Sequence, residues 1–111
     1  MTLHGGIGYI RLSPRGTIER VNQTFCSLLG LPEERLAGLP FIDLADRADR
    51  VKFRAELDGV LRGEPGQRLT VGYLTNKGHI LPLTTVIKPL EGAYGSEGVL
   101  VLVTLPMDES F

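Results

Sequence analysis

The chain has 111 residues, 42% of them hydrophobic, with 12 basic against 13 acidic side chains for a net charge of -1; that is enough for one domain with a real core and too little for two. Neither sign of charge forms a run, so nothing suits nucleic acid or an anionic membrane, and the longest apolar stretch, Val99 to Val103, is far too short to span a bilayer. One cysteine forbids an internal disulfide, and Met1 to Gly6 lacks the basic and apolar regions of a signal peptide, so the expectation is a cytoplasmic module.

Residues 8–13 alternate Ile10 and Leu12 with Tyr9 and Arg11, and Pro14-Arg15-Gly16 is turn chemistry, which predicts a β-hairpin with a second strand over 17–21. Asn22 stops that strand and suits a helix N-cap, because its side-chain oxygen accepts from a free amide of the first turn. Phe25, Leu28 and Leu29 recur at helical spacing, and Gly30 closes the helix. Pro32 opens a second short helix with proline in its first turn and Glu33 and Glu34 at the positive end of the dipole; Gly38 ends it.

Residues 39–44 read as an apolar connector without a clear period. One long helix is predicted over 45–62. Val51, Leu57, Val60 and Leu61 form its apolar side, with Arg47, Asp49, Arg50, Lys52, Arg54, Glu56 and Asp58 mostly opposite. Gly63-Glu64-Pro65-Gly66 ends it. Strands follow over 68–75, 79–88 and 98–105, joined by the Asn76-Lys77-Gly78 turn and a Gly-rich loop over 92–98. This order predicts an α+β domain: a five-stranded antiparallel sheet with short helices and one long helix on one face.

Little in the chain is equipped for catalysis. Cys26 and His79 are the one thiol–imidazole combination to consider, but Cys26 sits among core positions and reads as a small apolar filler. His79 reads as an exposed turn residue, and His4 lies in the N-terminal segment. Two distant histidines and one cysteine make no zinc spacing. Glu33-Glu34 is accounted for by the helix dipole, and no phosphate-binding G-x-x-x-x-G-K-[ST] motif occurs. The expectation is a protein that is not an enzyme.

The succession from Gly16 to Gly38, strand, capped helix, glycine, acidic helix and glycine, resembles the PAS domain family, whose pattern runs G-x-I-x-x-V-N-x-x-F-x-x-L-x-G-y-x-x-E-E-L-x-G. Asn76-Lys77-Gly78 stands where the family has K-D-G, and Pro82-Leu83 matches G-x-x-x-P-V, so the resemblance covers about residues 8–107 as a single domain. The acidic D-I-T that ends most members falls at Leu105-Pro106-Met107, with Asp108 and Glu109 just after it. That departure bears on whether a signal leaves by the family's usual C-terminal coiled coil.

The resemblance also tests cofactors. Flavin-binding light-sensing members form an adduct on a cysteine three residues after the glycine matching Gly38, and that place is Phe41, which excludes thiol photochemistry. Haem-binding members use a histidine of the long helix, and none lies between Ala45 and Arg62, which excludes haem by that route. A general pocket between sheet and long helix remains. The family's inward face corresponds to Leu83, Thr85 and Ile87, to Val71 and Tyr73, and to Val101 and Val103. Phe25, Leu29, Phe41, Phe53 and Leu57 close the other side. Such a lining suits a small, largely apolar ligand with Tyr73 and Thr85 as polar contacts; the plainer alternative is a solid core.

Alternation places Ile80, Pro82, Thr84 and Val86 on the outward face, and Leu100 and Leu102 continue an apolar strand there. An antiparallel sheet normally wets that face, and an apolar strip marks a partner surface. The resemblance implies pairing through this face together with the segment before the first strand, so a homodimer is expected; the alternative is that a segment outside this sequence, such as a flanking helix, covers it. The resemblance implies a sensory and dimerisation module of a larger bacterial signalling protein, a histidine kinase or transcriptional regulator whose output domain lies outside this sequence. The alternative is a passive protein–protein scaffold with a filled core.

Overall fold

The computed structural model describes residues 6–92 and 95–106, with side chains omitted at 91, 92 and 95–97. Strands β1 (Gly8–Leu12) and β2 (Ile18–Val21) form the first hairpin. Helices α1 (Gln23–Leu29) and α2 (Glu33–Leu36) follow, then 3-10 turns at Phe41–Leu44 and Arg47–Asp49, then α3 (Arg50–Leu61). Strands β3 (Leu69–Leu74), β4 (Ile80–Gly92) and β5 (Gly95–Thr104) complete an antiparallel five-stranded sheet in the order β2-β1-β5-β4-β3. The first and last strands of the chain thus meet at its centre.

The local signals act as read. Asn22 is extended and its side chain accepts from the Phe25 amide, capping α1. Gly30 terminates α1 at φ 75°, a left-handed conformation that a Cβ opposes, and its amide donates to the Cys26 carbonyl. Pro32 stands one residue earlier than expected, as the N-cap of α2 rather than inside its first turn.

The long helix is shorter than its predicted span. Residues 45–49 use their backbone on the sheet instead: Ala45 pairs with Tyr73, the Asp46 amide donates to the Gly72 carbonyl (2.7 Å), and the Gly72 amide donates to Asp49 Oδ2 (2.8 Å). These bonds cover the outer edge of β3 and hold Asp46 extended, at ψ 139°, so α3 starts only at Arg50. Its buried side is centred on Phe53, Leu57 and Val60. Val51, two residues before Phe53, lies about 200° around the axis and is 83% exposed, contrary to its expected place on the apolar side.

The other edge strand, β2, is covered in the same manner. Ile18 exchanges backbone bonds with Leu39 (2.9 Å) and Gly38 (2.7 Å), and the Val21 amide donates to Glu33 Oε2 (3.1 Å). Strands β4 and β5 run further than predicted, pairing Glu91 with Ser96 and Gly92 with Gly95 after an irregularity near Pro89. Most of the expected Gly-rich loop is therefore ladder; its tip at 93–94, His4 and, of the C-terminal departure at Leu105-Pro106-Met107, Met107 with the following Asp108 and Glu109 lie outside the described residues.

Candidate functional site

The inward face of the sheet and the helices enclose all twelve side chains expected to line a pocket. Leu57 retains slight exposure and the other eleven are fully buried. At their centre four aromatic rings pack together. Phe41 meets Phe53 at 5.3 Å, Tyr73 at 5.9 Å and Phe25 at 6.2 Å between centroids, and Tyr73 meets Phe25 edge-on at 6.2 Å and Phe53 at 6.4 Å. Tilted and edge-to-face pairs at these separations are the favoured geometry for aromatic quadrupoles.

The two polar groups of this interior face each other. Tyr73 and Thr85 hydroxyls lie 2.8 Å apart, and Thr85 Oγ1 donates to its neighbouring Leu83 carbonyl (3.2 Å), which leaves Tyr73 as donor to Thr85. Burial raises the Tyr73 pKa far above the ordinary phenol value, a rise that the bond to Thr85 only partly offsets. The hydroxyl therefore stays neutral, and the two side chains expected to greet a ligand are bonded to one another.

Cys26 is buried at the base of a separate groove of about 490 Å³ between the end of β2 and the two short helices, where Asn22, Gln23, Glu33 and Glu34 also line the walls. Burial, and then the Glu33 and Glu34 charges, push its thiol pKa up. A thiol held protonated is a poor nucleophile, in keeping with the core-filler reading. His79 is exposed beyond the turn, its amide donating to Thr75 Oγ1 (3.2 Å). Among the described residues no group of three or more His, Cys, Asp or Glu side chains is placed to hold a metal ion, and no described helix is long and apolar enough to cross a membrane.

The outward face presents rows of side chains across the strands. Register aligns Thr70, Thr84 and Thr104 in one row; Val86, Leu102 and Tyr9 in the next; and Lys88, Leu100, Arg11 and Arg20 in a third. Ile80, 52% exposed, and Pro82 stand at one end. The six expected interface residues do share this face, with Thr84, Val86, Leu100 and Leu102 half-buried.

The face is less greasy than alternation along single strands implied. Val99 points inward and is fully buried, and the apolar row lies between a hydroxyl row and a basic one. Two of the cations are tied to acids, Arg11 to Glu19 (3.3 Å) and Arg20 to Glu33 (3.4 Å); at such exposure these pairs contribute little to stability. A groove of about 510 Å³ runs over the threonine and apolar rows, and its walls include Ile7, Arg68 and Pro106. The chain thus enters and leaves the described domain beside the same groove.

Sequence reasoning missed three side chains that join elements: Glu33, read only as a helix-dipole charge, accepts from the Val21 amide of β2, and Asp49 and Asn22 likewise reach beyond their own helices. Asp49 reads as a solvated helix charge, whereas its carboxylate satisfies an edge amide of β3. Asn22 is legible as a cap, but nothing in its spacing signals that it also bonds β1.

The shape and the sequence agree with known proteins. The PAS domain of a protein from Colwellia psychrerythraea has a TM-score of 0.81 at 20% identity, over 90% of this chain and 86% of that one. A light-oxygen-voltage domain solved in a study of a flavin analogue gives 0.73 at 19% identity, over 95% and 80%. The sensor region of a sensor histidine kinase gives 0.64 at 22% identity, over 87% of this chain and 38% of that one. No curated protein matches. The model of the family described as PAS fold matches residues 4–105, and the chain belongs to that family.

Proposed function

We propose that this chain is the sensory and dimerisation module of a larger bacterial signalling protein working in the cytoplasm, and that it relays an event at its core or sheet to an attached output domain, as in a histidine kinase or transcriptional regulator. The observation that carries this reading is that Ile7 and Pro106 wall one groove on the outer sheet face. Whatever adjoins the domain at either end starts there, so a partner seated on this face is in contact with both connections. A second copy is the partner we favour, with Val86 and Leu102 at the middle of the contact. Fold resemblance to the sensor region of a histidine kinase supports the output class.

A small apolar ligand is the natural input, and binding would shift the population of sheet and flank conformations. It would enter among the four rings and exchange the Tyr73–Thr85 bond for its own polar group. The flavin named with the light-oxygen-voltage neighbour belongs to that protein. Here Phe41 occupies the place of the family's adduct cysteine and is buried against three other rings, so its side chain offers no thiol for an adduct. The passive scaffold is the second reading, favoured specifically by the closed Tyr73–Thr85 pair.

Native mass spectrometry of the purified chain, repeated after denaturation, decides between them. A dimer carrying excess mass that denaturation releases supports the sensor; a bare dimer supports the scaffold; a bare monomer refutes the self-pairing. In a dimeric sample Val86→Glu is expected to weaken association about a hundredfold, the equivalent of about 3 kcal/mol for an unpaired charge in the contact. An unchanged sedimentation mass would place the contact elsewhere.

A further inference from the structure

Asn22 bonds in three directions at once. Its Oδ1 accepts from the Phe25 amide in the first turn of α1 (3.1 Å) and from the Tyr9 amide in β1 (3.0 Å), while Nδ2 donates to the Ile7 carbonyl (2.9 Å). The Asn22 backbone amide adds a bond to the Tyr9 carbonyl (3.1 Å). Helix capping needs only the first of these. The others reach across to the chain leading into β1.

The two things so joined lie on opposite faces of the sheet. Phe25 belongs to the buried aromatic cluster, and Ile7 walls the outer groove. Between them stands Gly8, where a Cβ would come within 3.3 Å of Phe25 Cβ and within 2.6 Å of a Val103 methyl. Phe25 therefore packs directly on the β1 backbone at the residue between the two that Asn22 holds. Moving Phe25 moves the amide that shares Oδ1 with Tyr9, and presses or releases the same stretch of strand.

Resting on the relay reading above, we propose that Asn22 is the positioning residue that couples the packing of the aromatic core to the segment entering β1, and hence to the outer-face groove. It touches no ligand. Its amide group is a shared joint: one oxygen, with a lone pair for each donor, accepts from helix and strand together, so a shift of one amide moves the atom that holds the other.

The test uses the purified chain, amide hydrogen exchange, and Phe41→Leu as a perturbation of the cluster at a ring that packs on Phe25 of α1 but makes none of the Asn22 bonds. In the natural background Phe41→Leu is expected to speed exchange at the Tyr9 amide about tenfold more than at the β3–β4 ladder amides, which report global opening. Asn22→Ser retains a helix cap of similar strength but has no amide group with which to hold Ile7 and Tyr9 as Asn22 does. In that background Tyr9 is expected to exchange fast already, with a further change of less than about twofold on adding Phe41→Leu. Asn22→Gly, an N-cap only slightly weaker with no side chain to bond Tyr9 or Ile7, is expected to behave as the serine variant does and serves if that variant does not fold.

An equal acceleration at all amides, no response at Tyr9, or the same response with serine in place would overturn the coupling and leave Asn22 a cap. No ligand, partner or output domain enters this measurement. Failure of the sensory reading therefore leaves its result standing, and failure here leaves that reading to the mass spectrometry.

Discussion

Removing the two interior hydroxyls singly and together tests whether they serve only each other. Thr85→Val leaves the Tyr73 hydroxyl fully buried without its acceptor, a penalty of about 2 kcal/mol. Tyr73→Phe is milder, about 1 kcal/mol, because Thr85 still donates to the Leu83 carbonyl. With an unfolding entropy of about 2.1 cal/mol/K per residue, 111 residues give roughly 0.23 kcal/mol/K, or about 4 °C of Tm per kcal/mol. The single variants should melt about 8 °C and about 4 °C below the natural chain. The double variant replaces both groups by apolar ones of nearly the same shape and should return to within about 2 °C of it. Circular dichroism melts with urea titrations of all four proteins complete the double-mutant cycle. A double variant that loses the sum of the singles refutes the closed pair, since each hydroxyl would then have a partner of its own, as an interior ligand supplies.

Two further outcomes follow from local geometry and charge. The raised Tyr73 pKa fixes the sign of an alkaline effect: up to the ordinary tyrosine value of about 10 both states hold the proton, and above it the unfolded chain ionises first, so stability falls as pH rises. Tyr73→Phe should lose less stability than the natural chain between about pH 9 and about pH 11, compared by urea midpoint; equal slopes would contradict the burial of that hydroxyl. Gly30→Ala places a methyl at φ 75° and within 2.6 Å of Asn76 Oδ1, for an expected loss of about 2 kcal/mol. In an Asn76→Gly background about 1 kcal/mol of backbone strain should remain, and an unchanged loss there would assign the whole cost to φ.

What the sequence made legible were features written locally. The capping of α1 by Asn22, its closure at Gly30 and the Asn76-Lys77-Gly78 turn each rest on local dihedrals and nearest amides, so placing them needs no tertiary knowledge, whereas the Asn22 bonds to β1 do. The inward residues of β3, β4 and β5 follow from a period of two, which survives any error in strand ends. Where reasoning failed, a distant element had intervened. The start of α3 was overruled by backbone bonds from residues 45–46 to β3, and Val51 was misplaced because a helix of mixed charge leaves its apolar side defined by two or three residues. The outer face was misjudged for a related reason: one strand shows Val86 beside Thr84, but only cross-strand register shows that Leu100 lies between Lys88 and Arg11 while Leu102 lies between Val86 and Tyr9.

That register also bears on how this sheet can be recognised. An exposed edge strand offers unpaired amides and carbonyls for another strand to join. Here Leu39, Gly38 and Glu33 bond the outer side of β2, and Asp46 and Asp49 bond that of β3. Strand addition at either place requires breaking bonds already made, two of them to carboxylates, which are the stronger kind. The outer rows need no such exchange: their side chains stand free of the ladder, alternate hydroxyl, apolar and basic character, and lie beside Ile7 and Pro106. A partner that reads those rows meets side-chain chemistry specific to this chain, whereas a partner at an edge would meet backbone common to every sheet.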